Sequence, residues 1–221
     1  MSALEARFAE AVAAYTAQRG ITEVLHFTTN YGAVGILAKG FVLSRDRLAK
    51  DKYIEHIYTP NCPTRHKDSA WTDYVNLSIS RVNSRMLGIS AGKWHATEDL
   101  WWVVLAFDAS LLAHPDVHFV TTNNTYRNCL KRGTGAEGLQ ALFAHSVEWG
   151  WQGSHITRYP GMPDAWTTDP QAEVLYPEQV PIQLLRAVYV RVEEHADTVR
   201  SWFPIMDVPP VPVVFRPDVF Q

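Results

Sequence analysis

Glu173 is a carboxylate in apolar company. It stands in Gln171-Ala172-Glu173-Val174-Leu175-Tyr176, where apolar alternation opens just after Pro170, and carboxylates are depleted from β-strands. An edge strand that turns the charge to solvent is one account. A carboxylate aimed into a cleft, where it stabilises developing positive charge or accepts a proton, is the other. His26 is the second candidate. It ends the strand-like run Glu23-Val24-Leu25-His26-Phe27, and Thr28-Thr29-Asn30 follow at the start of a helix. Strand ends and helix N-termini hold polar ligands through backbone donors, although a core histidine bonded to a carbonyl is the competing account. Arg65, in the polar stretch Thr59-Pro60-Asn61-Cys62-Pro63-Thr64-Arg65-His66, is either a solvated charge or a fork able to grip a diphosphate at two points.

Other chemistries find less support. Gly133-Thr134-Gly135-Ala136-Glu137-Gly138 spells G-x-G-x-x-G. The polar Arg127-to-Arg132 segment leads into it instead of a strand, so it is expected to be a flexible loop and not a dinucleotide fingerprint. Among nine histidines there is no H-E-x-x-H, and His114 and His118 straddle Pro115, which prevents a helical pair; no metal site is expected. There is no G-x-S-x-G, and neither Cys62 nor Cys129 has a base beside it, which leaves acyl transfer unsupported.

These residues need a frame. A chain of 221 residues, 47% hydrophobic with eight Trp, can bury the core of one domain and is not disordered. Its formal net charge of −3 gives no global attraction to nucleic acid and leaves only local basic patches. Two widely separated cysteines fit a reduced compartment. No run approaches the roughly 18 apolar residues that span a bilayer, and the N-terminus alternates in charge, unlike a secretory signal. A soluble cytoplasmic protein is expected.

Ser2 and Glu5 form a capping box for a first helix over residues 2–19, with Leu4, Phe8, Val12 and Tyr15 at helical spacing and Gly20 closing it. A second helix runs through Val34, Ile36 and Leu37 to Gly40, followed by a short strand at Phe41-Val42-Leu43. Residues 44–70 form a long polar loop, a kind of segment that is usually functional. Strands are expected at Tyr74 to Ser80, at Val117 to Val120, and at Leu100 to Phe107, the last apolar throughout and so central and buried on both faces. Leu139 to Trp151 is weakly helical. Ala172 to Leu175 and Ala187 to Val192 close the core, and residues 204–221 form a Pro-rich extended tail. The fold class is α+β with short strands and long loops.

Four pieces in this order resemble the DarT family, toxins that ADP-ribosylate single-stranded DNA using NAD. They are Val24-Leu25-His26-Phe27-Thr28 with the helix ending Gly35-Ile36-Leu37-Ala38-Lys39-Gly40; Arg65 ahead of Asp73-Tyr74-Val75, with Asn83-Ser84-Arg85-Met86-Leu87 after it; His114 to Val120 with the polar residues Thr121 to Tyr126; and Gln171-Ala172-Glu173 with Val180-Pro181. The likeness runs from about residue 21 to 192. It departs where Asn76 follows the D-Y-V in place of a common Pro, and where Arg45, Arg47 or Arg81 competes with Arg65 for the family arginine. These departures point to a divergent branch in which the target base is guanine or thymine.

The resemblance implies a single ADP-ribosyltransferase domain over residues 1–221, its short-stranded sheet split around an NAD cleft and flanked by helices. It implies Glu173 and Arg65 as catalytic residues, with Glu173 meeting the oxocarbenium-like charge that develops as nicotinamide leaves. His26, Thr28, Asn30, Tyr74, Ser78 and Gln171 would hold NAD, with no metal. Arg81, Arg85 and Trp94, together with Arg127 and Arg132, would track the DNA strand. The implied partner is a macrodomain-type hydrolase as antitoxin. An RNA or protein acceptor, or a non-catalytic single-strand-binding module, are the rival readings. The loop over about 153–170 is expected to select the acceptor.

Overall fold

The computed structural model describes residues 3–48, 70–94 and 99–221. Helix α1 (Ala3–Gln18) leads into β1 (Glu23–Thr29), and Thr29 both ends the strand and caps α2 (Asn30–Lys39), its hydroxyl accepting from the Gly32 N–H at 3.1 Å. Gly40, at φ 78°, closes that helix, its N–H shared between the carbonyls of Ile36 and Leu37. There follow β2 (Phe41–Leu43), β3 (Tyr74–Ile79), α3 (Ser84–Ile89), β4 (Trp102–Asp108), β5 (His118–Val120) and β6 (Arg132–Thr134). Next come α4 (Gly135–Ala141), β7 (Ser146–Glu148), β8 (His155–Thr157), β9 (Glu173–Pro177), β10 (Gln179–Pro181), β11 (Leu185–Val190), α5 (His195–Ile205) and β12 (Val213–Phe215).

Eight of these strands form one sheet in the order β12-β11-β4-β1-β3-β9-β5-β6, antiparallel except for the β11–β12 pair. β4 is buried on both faces, as its unbroken apolar run requires. Val103, Leu105 and Phe107 join Val24, Leu37 and Ile79 on one side, while Trp102, Val104 and Ala106 meet Leu25, Tyr189 and Phe220 on the other. Burying a side chain the size of Phe107 stabilises the fold by about 1.5–3 kcal/mol. The sheet has a narrow waist. β1 pairs with β4 through seven residues but with β3 only through Val24↔Ile79 and Leu25↔Ser78. From His26 onward β1 and β3 part, and this divergence is the split expected of the sheet.

Several sequence expectations give way here. The G-x-G-x-x-G segment is not a flexible loop: it is the end of β6 turning into α4, with the Gly133 and Gly138 backbones in contact. Leu139 to Trp151 is not one helix, because α4 stops at Ala141 and the β7–β8 hairpin begins at Ser146. The tail lacks regular structure only from Val208 to Pro212, after a turn at Met206 and Asp207. Before that, α5 carries Pro204 inside its last turn, and afterwards β12 joins the sheet and a 3-10 turn buries Phe220. Helix α5 itself carries no cap signal, which hid it from the sequence reading. Cys129 is a buried free thiol, whereas Cys62 lies outside the described residues. Among the described residues no helix is long and apolar enough to cross a membrane, and no cluster of His, Cys, Asp or Glu suits a metal.

The end of β4 is tied to β11 through Asp108, which accepts from the Ser110 N–H at 2.8 Å and from Arg186 Nε at 2.8 Å. These donors, Ser110 foremost, hold the Asp108 carboxyl down at about 2. A carboxyl depressed in the folded state stabilises it above the ordinary carboxylate range, and that contribution disappears as pH falls toward about 2. Replacement by Asn is therefore expected to remove on the order of 1 kcal/mol at neutral pH, allowing for solvent screening, and to flatten the melting temperature between about pH 4 and 2. Thermal melts across that range check it.

Candidate active site

Glu173 opens β9, and β9 lies between β3 and β5. It is therefore not on an edge strand. Among the described residues, three donors grip its half-buried carboxylate. Asn76 Nδ2 from β3 reaches Oε2 at 2.8 Å, the Asn124 N–H reaches Oε2 at 3.2 Å, and Asn123 Nδ2 reaches Oε1 at 3.2 Å. Donors on both oxygens fix the orientation of a carboxylate, which accepts only.

Asn76 also ties Glu173 to His26. The His26 Nδ1 lies 3.1 Å from the Asn76 carbonyl oxygen, across the gap where β1 and β3 part. The two residues singled out from the sequence therefore share one neighbour, and the waist of the sheet places it there. Thr28 follows on the same strand face as His26. A Cβ on Gly32 would come within 2.1 Å of the Thr28 hydroxyl, so α2 can approach that hydroxyl only because residue 32 is glycine.

The other proposed cofactor residues are placed less uniformly. The Asn30 side chain donates to the Asp99 carbonyl at 3.1 Å and accepts from the Trp101 N–H at 3.4 Å, holding the approach to β4. Tyr74 packs its ring against Trp71 and edge-on to His118, at 5.0 and 5.6 Å between centroids. Burial raises the pKa of its phenol. Ser78 is buried opposite Leu25 at the waist. Gln171, also buried, accepts from the Tyr126 hydroxyl at 3.3 Å and donates its N–H to Asp169 at 2.8 Å. Asp169 is fully buried, which pushes its carboxyl up.

Of the basic candidates, Arg65 lies outside the described residues, as does the side chain of Trp94. Arg47 forks onto Asp73 at 2.8 and 3.0 Å and meets Glu178 at 3.0 Å. Arg81 turns inward: it donates to the Thr167 carbonyl at 2.7 Å and lies 4.7 Å from the centre of the Trp166 ring. Burial lowers its pKa from the ordinary arginine value. Arg158 completes the tether of that segment through the carbonyls of Trp166 and Pro163, at 2.6 and 3.0 Å. Arg85 on α3 faces Trp149 at 5.8 Å, beside the exposed Trp151 at the hairpin tip. Arg127 is exposed on the loop after β5. Arg132 Nε donates to Asn124 Oδ1 at 2.6 Å, beneath the Trp71 ring.

Sequence reasoning passed over Asn76, Asn123 and Asn124 as site residues. Asn76 was legible in part, because it shares a strand face with Tyr74 and Ser78. Its meeting with Glu173 depends on the β3–β9 register, in which Asn76 lies opposite Leu175 and Leu77 opposite Val174. The two other asparagines sit in a loop whose course no periodicity reveals. Asn76 Oδ1 is buried without a hydrogen-bond partner among the described residues. This acceptor beside Glu173 fits a ligand that carries hydroxyl or amide donors.

The mainly antiparallel sheet, split at its waist with a carboxylate and a histidine bridged across the gap, is the arrangement that the resemblance to ADP-ribosyltransferases implies. A family model described as "DarT: ssDNA thymidine ADP-ribosyltransferase, DarT" matches residues 25–221. The chain belongs to the DarT family. Among solved structures, Thermus sp. 2.9 DarT in complex with NAD+ superposes with a TM-score of 0.60 at 18% identity, over 90% of this chain and 98% of that one. The same protein in complex with ADP-ribosylated ssDNA gives 0.62 at 16% identity, over 91% and 97%. Thermosipho africanus DarTG in complex with ADP-ribose gives 0.61 at 15% identity, over 90% of this chain but 51% of that longer one. At such identities these structures speak to the fold, and they bear out the expected α+β ADP-ribosyltransferase architecture. No curated protein matches the chain in sequence.

Proposed function

We propose that this chain transfers ADP-ribose from NAD to a thymine base of single-stranded DNA, releasing nicotinamide, as the toxin of a toxin–antitoxin pair, and that the whole chain acts as one catalytic domain. The observation that carries this reading is the Glu173 carboxylate, held by Asn76, Asn123 and Asn124 and bridged to His26, in a chain of the DarT family. NAD supplies the ADP-ribosyl group, and the bond to nicotinamide is the one that breaks. Glu173 stabilises positive charge at the ribose carbon and accepts the proton that the thymine ring nitrogen loses as its new bond forms. His26 and Thr28 hold the nicotinamide riboside, the buried Asn76 Oδ1 accepts from it, and Tyr74 lines its pocket. Arg65 takes the diphosphate.

The family description supports thymine over guanine as the acceptor. For the strand itself, Trp149 with Arg85 and the exposed Trp151 and Tyr159 offer stacking surfaces beside positive charge. Arg127 can track phosphates, whereas Arg81 serves the loop before Glu173 from within. DNA and NAD meet in the cytoplasm, where we place the protein. Its antitoxin is taken to be a macrodomain-type hydrolase that removes ADP-ribose, a partner suggested by the DarTG likeness.

The test is direct. The protein is incubated with NAD and single-stranded oligonucleotides, each containing only one kind of reactive base in an otherwise fixed context. A mass gain of one ADP-ribose on thymine-containing strands, with stoichiometric nicotinamide, is the expected result. Adducts on guanine alone would overturn the base assignment, and no adduct on any strand would overturn the DNA acceptor.

A further inference from the structure

We propose that Arg132 is a positioning residue for Glu173, acting through Asn124, and not a contact to the nucleic-acid strand. Across the sheet, Arg132 is in register with Val120, and Val120 is in register with Glu173. The three residues form one row over β6, β5 and β9, so Arg132 and Glu173 project to the same face about 10 Å apart, two strand spacings. Asn124, itself buried, links them, accepting from Arg132 and donating its N–H to Glu173.

The fork of Arg132 engages both acceptors of that one residue. Nε donates to the side-chain Oδ1 at 2.6 Å, and Nη2 donates to the Asn124 carbonyl at 3.2 Å. The guanidinium also lies 4.9 Å from the centre of the Trp71 ring, which supports its plane. Fixing the side chain and the carbonyl of one residue together places its Cα and amide nitrogen, and so supports the N–H that points to Glu173 Oε2 at 3.2 Å. The preceding residue is braced separately, since Asn123 Oδ1 accepts from the N–H and the hydroxyl of Thr125 at 3.0 and 2.6 Å. A planar, two-point donor does this through a preorganised fork that a lysine ammonium lacks.

This inference rests on the ADP-ribosyl-transfer reading, and the experiment separates the two. Wild-type protein, R132Q, R132K, N124A and the R132Q/N124A double variant are compared on one thymine-containing oligonucleotide, measuring kcat, the KM for NAD, the KM for the oligonucleotide and the salt dependence of strand binding. Melting curves show which variants are folded. R132Q is expected to lose on the order of tenfold or more in kcat with both KM values within about twofold, because a small misplacement at a reacting centre is costly. R132K should fall between, and it keeps the test alive should R132Q fail to fold. Adding R132Q to N124A should cost less than about twofold more, since residues that act as one unit are not additive. A raised oligonucleotide KM with unchanged kcat and a shallower salt slope would make Arg132 a strand contact and overturn the proposal. Independent, multiplicative losses in the double variant would overturn it too. An inactive wild type sinks the transfer reading itself, whereas an active wild type with an undisturbed R132Q kcat sinks the positioning role alone.

Discussion

Replacing Glu173 by alanine is expected to lower the rate of ADP-ribosyl transfer by about 10²–10⁴-fold, the range for losing a carboxylate that both stabilises charge and moves a proton. Glutamine should do no better, although it is nearly isosteric. Among the described residues, the groups bonded to Glu173, namely Asn76 Nδ2, Asn123 Nδ2 and the Asn124 N–H, are all donors. An amide would turn its own NH₂ toward at least one of them. Both variants should remain folded, because the residue is only half-buried at the start of its strand and the apolar Val174 and Leu175 behind it are untouched. The measurement is oligonucleotide modification by mass, with melting temperature as the control. Modification at the wild-type rate by either folded variant would remove Glu173 from the chemistry.

Gly138→Ala is expected to have the largest effect on stability among the glycines of the sheet and its helices, against the direction that helix propensity predicts. In an open helix, alanine in place of glycine is worth roughly 1 kcal/mol of added stability. At position 138 the new Cβ would lie 2.5 Å from the Gly133 carbonyl carbon and 2.7 Å from its oxygen. Those are backbone atoms at the β6–α4 junction and cannot step aside as a side chain does. Overpacking should win, with a net loss of about 2–3 kcal/mol, a fall of roughly 5–10 °C in Tm for a domain of this size. Gly88→Ala is the contrasting control. It sits exposed in α3 with nothing within 4 Å of the new carbon, so propensity alone operates and stability should rise by up to about 1 kcal/mol. An unchanged Tm in Gly138→Ala would show that β6 and α4 can separate freely.

That pair of glycines shows how far local signals reach. Read alone, G-x-G-x-x-G without a preceding strand looks like a mobile loop. β6 is only three residues long and mostly polar, so no alternation marks it as a strand. It exists because β5 offers an unpaired edge, a condition that no residue of the segment encodes locally. Helix α5 was missed for a similar reason: with no capping side chain and a proline in its last turn, its identity comes from the apolar side, Ala196, Val199, Trp202 and Phe203, that it packs into the core.

What the amino-acid sequence determined by itself was everything that depends on near neighbours along the chain. The cap and stop of α2 at Thr29 and Gly40, the doubly buried β4 and the cleft-facing alternation of β3 follow from propensity, period and the positive φ that glycine allows. So does the oddity of a carboxylate in an apolar strand, which drew attention to Glu173. The tertiary structure alone decided what surrounds that carboxylate. Asn76 is 97 residues away, Asn123 is 50 and Asn124 is 49. Each reaches Glu173 only through the register of β3 and β5 on either side of β9. Side-chain bonds turn Arg81 and Arg132, two arginines that the sequence reading placed at a strand-binding surface, toward the protein's own loops, Arg81 to Thr167 and Arg132 to the nearby Asn124. Strand register is set by the packing of the whole sheet, and so the position of the reactive carboxylate could be read from the chain while its setting could not.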